Sequence, residues 1–317
     1  KNLQEYFFGQ EQEQQAFIKL SRNFADAKSN VGDGLADVVE KLYQEANAQP
    51  HPEEWLKGLV KNYELPDDDE WTHSQFFQTS LRPILVRRLQ QDLADLQTNV
   101  DHVSSIDNEK TTATVQSDFQ LVNRINDAIE DDTGWDELRT LINKKGFKRI
   151  SGPKKSEEYD AIKARRDGVK ADLDKLHKAY FELSNAQLLT ATKAAKAIVE
   201  ELVKVTIRYR QDYQKAKLKR HLLDFSDLEH YAFQILTDQT EDGLAVRKQL
   251  QRHFKEILVD EYQDTNRLQD ELLNQLHDPQ LNHMFMVGDV KQSIYRFRQA
   301  DPTLFLEKGH RFAGNDR

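Results

Sequence analysis

Cysteine is absent from the 317 residues. The chain therefore has no disulfide framework, no zinc-finger arrangement and no thiol nucleophile, and its composition fits a reducing compartment such as the cytoplasm. Glycine and proline are scarce, with 12 and 7 residues, which argues against a sandwich or barrel built on many tight turns and favours helices. No run of about 18 apolar residues occurs, so no membrane-spanning helix is expected. The N-terminus lacks the basic, apolar and small-residue succession of a secretory signal. The chain opens at Lys1 rather than methionine and stops at Arg317 directly after a helical pattern, so it reads as an excised piece of a longer polypeptide.

Charge is plentiful. Charged residues make up 31% and hydrophobic ones 38%, with a mean hydropathy of −0.79, the balance that long solvated helices produce. The length suits about two domains. The net charge of −9 gives a field that does not attract nucleic acid. Any DNA contact must then come from a local basic or aromatic cluster.

Two textures divide the chain into residues 1–222 and 223–317. In the first, GQEQEQQAFIKLSRNF and GLADVVEKLYQEA are amphipathic helices, and Pro52 starts a short third one. The run SQFFQTSLRPILVRRLQQDLADLQ is a longer helix that Pro83 either starts or kinks. The stretch GFKRISGPKKSEEYD reads as a basic loop broken by Gly146, Gly152 and Pro153. Beyond Arg165 an apolar stripe appears at Val169, Leu173, Leu176, Tyr180 and Leu183, and resumes at Ala194, Ile198, Leu202, Val205 and Tyr209. Unbroken to Leu218 such a helix would run about 80 Å, so a bend is expected near Ser184–Asn185. The stripe suits a bundle seam or, less simply, a self-association surface.

In the second part, DFSDLEHYAFQIL is a helix capped by Asp224 or Ser226. KEILVDE and HMFMVGD read as buried strands flanking the helix NRLQDELLNQLHD. This is a parallel βαβ unit with apolar strands expected to be covered on both faces. The fold class is thus mostly α with an α/β part.

Parallel sheets bind ligands beyond the carboxyl ends of their strands. Asp260-Glu261 and Gly288-Asp289 both lie at such ends. A strand-end aspartate can hold Mg²⁺ through its water shell, and an adjacent glutamate can polarise an attacking water. Hydrolysis of a phosphoanhydride needs mainly positioning and charge neutralisation. The pair also suits a merely solvated strand end. In VKQSIYRFRQAD, Gln292 is placed to bond a terminal phosphate. Tyr295, Phe297 and Arg298 then offer two rings and a guanidinium that could stack unpaired bases or, for the rings, fill a core.

DEYQD followed by VGDVKQSIYRFRQADP resembles motifs II and III of the superfamily 1A helicases of the UvrD/RecB type. DFSDL resembles the DFxDL segment that precedes motif II in that group. VGDVKQSIYRFRQADPTLFLEK and NAQPHPEEWL look closest to the AddA group (RexA in lactic-acid bacteria) of helicase–nuclease proteins. The likeness is close over residues 224–312 and looser over the helical part. It implies an ATP-dependent DNA helicase and exonuclease of double-strand-break repair, with a partial RecA-like P-loop NTPase core at residues 223–317 and a helical 1B insertion at residues 1–222 that engages duplex DNA. It also implies a partner protein of the AddB/RexB type. On this resemblance Asp260 binds Mg²⁺, Glu261 activates the water and Gln292 senses the γ-phosphate of ATP. Gln263 and Asp264 support the network between the ATP and DNA sites. Tyr295, Phe297 and Arg298 contact single-stranded DNA.

The chain departs from the family pattern in lacking G-x4-G-K-[ST], the loop whose backbone N–H groups and lysine cradle phosphates. In GFKRISGPKKS the glycines are one step too far apart and proline stands at the lysine position. The family places its P-loop before this segment, and motifs IV to VI and the nuclease acids after it. DYQK at residues 212–215 is similar to a nuclease DYK but lies within a helical pattern. Two other readings use the same residues: a non-enzymatic helical interaction module, and a P-loop ATPase that is not a helicase.

Overall fold

The structure, a computed structural model, describes residues 11–24, 33–106, 108–143, 146–152, 156–295 and 299–313. In chain order the helices are α1 (Glu11–Asn23), α2 (Asp33–Asn47), α3 (Pro52–Lys61), α4 (Arg82–His102), α5 (Glu109–Glu130), α6 (Trp135–Leu141), α7 (Glu157–Tyr180), α8 (Asn185–Lys219), α9 (Phe225–Thr237), α10 (Glu241–His253), α11 (Arg267–Leu276) and α12 (Thr303–Ala313). Strand β1 (Glu256–Val259) precedes α11 and β2 (His283–Met286) follows it. None of the described helices is long and apolar enough to cross a membrane.

The chain packs as two compact units, one formed by Lys1–Leu59 with Ile198–Arg317 and the other by Val60–Ala197. The change of texture at residue 222 falls inside the first unit. Local pattern cannot reveal this, because the end of α2 and the residue after it join the later residues through long-range bonds. Leu268 N donates to the carbonyl of Ala48 at 2.9 Å, and Arg210 Nε donates to Asn47 Oδ1 at 3.2 Å.

In the unit of residues 60–197, α4, α5 and α7 pack around Leu85, Leu89, Val122, Ile125, Val169 and Leu173, with Trp135 of α6 at one end. Trp135 stacks on Phe181 at 4.5 Å, and Trp71 meets it edge-on at 4.8 Å. Its indole N–H donates to the carbonyl of Leu183 at 2.9 Å, so burying the ring leaves no polar atom stranded. Proline supplies no N–H and clashes with the preceding turn. Accordingly Pro83 lies in the first turn of α4, directly after the π-turn Phe77–Leu81. The bend expected near Ser184–Asn185 is the break between α7 and α8. Asn185 Oδ1 accepts from Trp71 N at 2.9 Å and its Nδ2 donates to the carbonyl of Asp69 at 2.7 Å, which spends the side chain on the loop before α4. The stripe frays there, and Tyr180, Leu183 and Ala194 are exposed.

The basic stretch after Gly146 is held from beneath. Phe147 packs on the core, the carbonyl of Lys148 accepts from the buried Arg166, and the carbonyl of Ser151 accepts from Thr111 Oγ1 at 2.6 Å. Its end is helical rather than looped, because Ser156 caps α7 through Tyr159 N.

Asp92 of α4 is buried, and its Oδ2 has no hydrogen-bond partner. Burial, reinforced by Asp172, pushes its carboxyl up to about 7. Between pH 4 and 7 the folded state therefore holds a proton that the unfolded state has released, so stability falls as pH rises through that window. Asp92→Asn is expected to stabilise this chain by about 2 kcal/mol above pH 7 and to change little below pH 4. Urea unfolding at both pH values measures it, and an equal effect at both would contradict the assignment.

In the other unit, Leu20, Leu35, Val39, Leu202 and Val205 form a core shared by α1, α2 and the second half of α8. Asp224, not Ser226, caps α9, in a capping box with Asp227. Both carboxylates also hold the buried ammonium of Lys217, each at 2.7 Å, so the DFSDL segment ties the end of α8 to the start of α9. Strands β1 and β2 are parallel and in register, Ile257 beside Met284 and Val259 beside Met286. The expectation of two covered faces fails. Ile257, Val259, Met284 and Met286 are half-buried, whereas Leu258 and Phe285 on the other face are 71% and 62% exposed. In a strand, alternate residues face opposite sides, and among the described residues helices cover only one side of this pair.

Candidate functional site

The backbone leaves β1 through a left-handed residue. Glu261 has φ 51° and ψ 44°, a conformation that costs a non-glycine residue about 1–3 kcal/mol and persists only where its surroundings enforce it. The turn Tyr262–Asp264 follows at once. Tyr262 N donates to the carbonyl of Val287 at 2.9 Å, which extends the sheet ladder past the last paired residues and fixes the turn against the end of β2.

Gln263 then joins the two strand ends. Its Nε2 donates to Glu261 Oε2 at 2.6 Å, and its Oε1 accepts from Asp289 N at 2.9 Å. A side chain at residue 288 would clash, because a Cβ on Gly288 would lie 2.4 Å from Gln263 Oε1. The relay continues outward. Gln292 Nε2 donates to Asp289 Oδ2 at 3.1 Å, and Asp289 Oδ1 caps the short turn Val290–Gln292 through Lys291 N at 2.9 Å. Glu261, Gln263, Asp289 and Gln292 thus form one hydrogen-bonded chain between the two turns. Gln263 is buried, while Glu261, Asp289 and Gln292 are exposed.

Asp260 is exposed at the end of β1, and its Oδ1 accepts from Glu261 N at 2.9 Å. Among the described residues no group of three or more His, Asp or Glu side chains is arranged to enclose a metal. Magnesium does not need such a cage: one or two carboxylates complete its shell with water and substrate phosphates. An exposed strand-end aspartate beside a second carboxylate fits that demand. Asp264 is only partly exposed, and its Oδ1 is buried without a partner, an acceptor awaiting a donor of the kind found at functional sites. Of the proposed DNA contacts, Tyr295 is exposed, whereas Phe297 and Arg298 lie outside the described residues.

Behind the turn lies a group that pattern reading did not reach. Tyr262 is fully buried, and its hydroxyl donates to Asp270 Oδ1. Lys308 Nζ sits 2.8 Å from the same oxygen and donates to Asn274 Oδ1 at 3.1 Å. Burial and the carboxylate both raise the Tyr262 phenol above its ordinary pKa. One signal was available: Lys308 follows the buried Leu304 by four residues, which puts a lysine on the inward face of α12.

A family model described as the UvrD/REP helicase N-terminal domain matches residues 84–313. The chain is similar to an ATP-dependent helicase/nuclease protein of Ligilactobacillus salivarius, the larger assembly's first-named component, 39% identical over 306 residues that cover 95% of this chain and 24% of that protein. The protein of the same name in Limosilactobacillus fermentum is 40% identical over 308 residues, covering 90% and 23%. That of Oceanobacillus iheyensis is 31% identical over 324 residues, covering 99% and 26%. The chain spans about a quarter of the length of these relatives.

Proposed function

Because this chain belongs to the UvrD/REP helicase N-terminal domain family, we propose that it carries the water-activating and DNA-coupling part of an ATP-driven DNA helicase. The observation that carries this reading is the continuous relay from Glu261 through Gln263 and Asp289 to Gln292. It joins a candidate general base on one strand end to a candidate phosphate sensor on the next. Glu261 takes the proton of the attacking water, with Gln263 holding its carboxylate. Asp260 holds Mg²⁺, which when bound neutralises charge on the phosphates. Gln292 exchanges its bond to Asp289 for one to the γ-phosphate, and Gln263 registers the change through Asp289 N. Tyr295, Phe297 and Arg298, which follow directly in sequence, hold single-stranded DNA by stacking and charge. Asp264 supports the relay.

We assign residues 223–317 to a partial RecA-like core and the helical remainder to a 1B-type element that engages duplex DNA. The compact unit that contains the core also includes α1, α2 and most of α3. The names of the similar proteins support a longer cytoplasmic polypeptide with nuclease activity, acting in double-strand-break repair beside a second protein of the AddB/RexB type.

The test is strand displacement from a tailed duplex by the full-length protein, with ATP and Mg²⁺. Unwinding is expected. Tyr295→Ala with Phe297→Ala should weaken single-strand affinity by about 10–100-fold, since each stacked base contributes about 1–3 kcal/mol. ATP hydrolysis without unwinding would favour an ATPase that is not a helicase, and neither activity would favour an interaction module. The isolated 317-residue chain, which contains no G-x4-G-K-[ST] loop, is expected not to hydrolyse ATP.

A further inference from the structure

The turn that presents Glu261 is strained, so something behind it must hold it. Three elements converge there. Tyr262 comes from the turn itself, Asp270 and Asn274 from α11, and Lys308 from α12. The Tyr262 hydroxyl donates to Asp270, the Lys308 ammonium lies 2.8 Å from the same carboxylate, and Asn274 bonds both Asp270, at 3.1 Å, and Lys308, at 3.1 Å. Lys308 also stands 5.4 Å from the centre of the Tyr262 ring, and Phe305 of α12 packs 6.1 Å from that ring. Tyr262, Asp270 and Lys308 are all buried. A buried lysine and aspartate tolerate few geometries, because any displacement leaves a charge without a partner. The network therefore pins Tyr262, and with it the backbone of the preceding residue, far more tightly than apolar packing alone.

A second set of contacts brings the start of α12 to the same turn. Asp301 N donates to the carbonyl of Thr265 at 3.0 Å, and Arg267 pairs with Asp301 at 2.8 Å. The segment that carries the proposed DNA contacts is thus anchored to the turn on either side. Gln263 to Asp289 holds the chain before it, and Asp301 holds the chain after it.

We propose that Lys308, acting through Asp270 and the Tyr262 hydroxyl, is a positioning residue for Glu261 and makes water activation depend on the seating of α12. This deepens, and rests on, the reading of Glu261 as the general base. Lys308 touches neither nucleotide nor DNA in this scheme. Its loss should lower turnover without changing nucleotide affinity.

The experiment uses the full-length protein with single-stranded DNA, ATP and Mg²⁺. Lys308→Met is expected to reduce kcat for ATP hydrolysis by about tenfold or more, within the roughly 10²-fold that a 1 Å misplacement can cost, with KM for ATP unchanged within about twofold. Lys308→Arg, which keeps the charge, should recover most of the rate. Tyr262→Phe removes only the hydroxyl and leaves the ring packed, so it carries the test should Lys308→Met fail to fold. It is expected to lower kcat in the same direction with KM unchanged. Wild-type kcat in both Lys308→Met and Tyr262→Phe overturns the proposal. So does a loss accompanied by a proportional rise in KM and no recovery by arginine, which marks a purely structural role. Glu261→Gln is measured alongside. If it retains full hydrolysis, the general-base reading itself fails. If it abolishes hydrolysis while the Lys308 and Tyr262 variants behave as wild type, only the positioning role fails.

Discussion

Replacing Glu261 by glutamine in the full-length protein is expected to slow ATP hydrolysis by about 10²–10⁴-fold, the contribution of a positioned general base. The substitution is nearly isosteric, and the amide oxygen can still accept from Gln263, so the left-handed turn and the relay to Asp289 stay in place. What disappears is the capacity to take a proton from water. Asp260, the candidate Mg²⁺ ligand, is untouched, so nucleotide affinity should remain within about twofold on the argument that uniform binding has not been altered. Steady-state turnover together with nucleotide binding separates the two quantities. A rate within about tenfold of wild type would remove Glu261 from the role of base.

Asp118→Ala is expected to cost about 3–5 kcal/mol, the penalty for breaking a buried ion pair from one side. Arg166 and Asp118 are both buried, and the guanidinium bonds both carboxylate oxygens and the carbonyl of Lys148. Its cationic face also lies 5.3 Å from the Phe147 ring. Removing Asp118 strands that charge between α5 and α7 and loosens the connector from residue 146 to 152. Burial pushes the Asp118 carboxyl above its ordinary range, while Arg166 opposes the shift, so the pair is held against its own desolvation. The double replacement Asp118→Leu with Arg166→Met should accordingly recover most of the loss, because an apolar pair of similar volume escapes the desolvation penalty. Denaturant unfolding of this chain compares the three. A double variant less stable than Asp118→Ala would contradict the account.

The helices were legible wherever one apolar face repeats. The stripe Val169, Leu173, Leu176 became buried core in α7, and Leu202 with Val205 became core in α8. The acidic turns were legible because strand, acids and polar turn follow one another within ten residues, and because DEYQD and KQSIYRFRQAD match a known helicase pattern. Helices α5, α6 and α10 escaped notice, since their apolar residues are diluted by polar ones and they bury only part of their surface. The two covered faces expected for β1 and β2 were read from apolar content alone. Whether a strand face is covered depends on which helices reach it, and a strand's own sequence does not record that.

By itself the sequence determined the chemical types at the strand ends, the order of the βαβ unit and the place where the long seam had to break. These follow from residues close together in the chain, whose spacing dictates which face they share. Only the tertiary structure decided that α2 packs with residues 198–317, that Gln263 joins Glu261 to Asp289, and that a lysine from α12 supports Tyr262 from behind. Those contacts join residues far apart in the chain, and nothing in local periodicity distinguishes a lysine that will meet a buried carboxylate from one that will meet water.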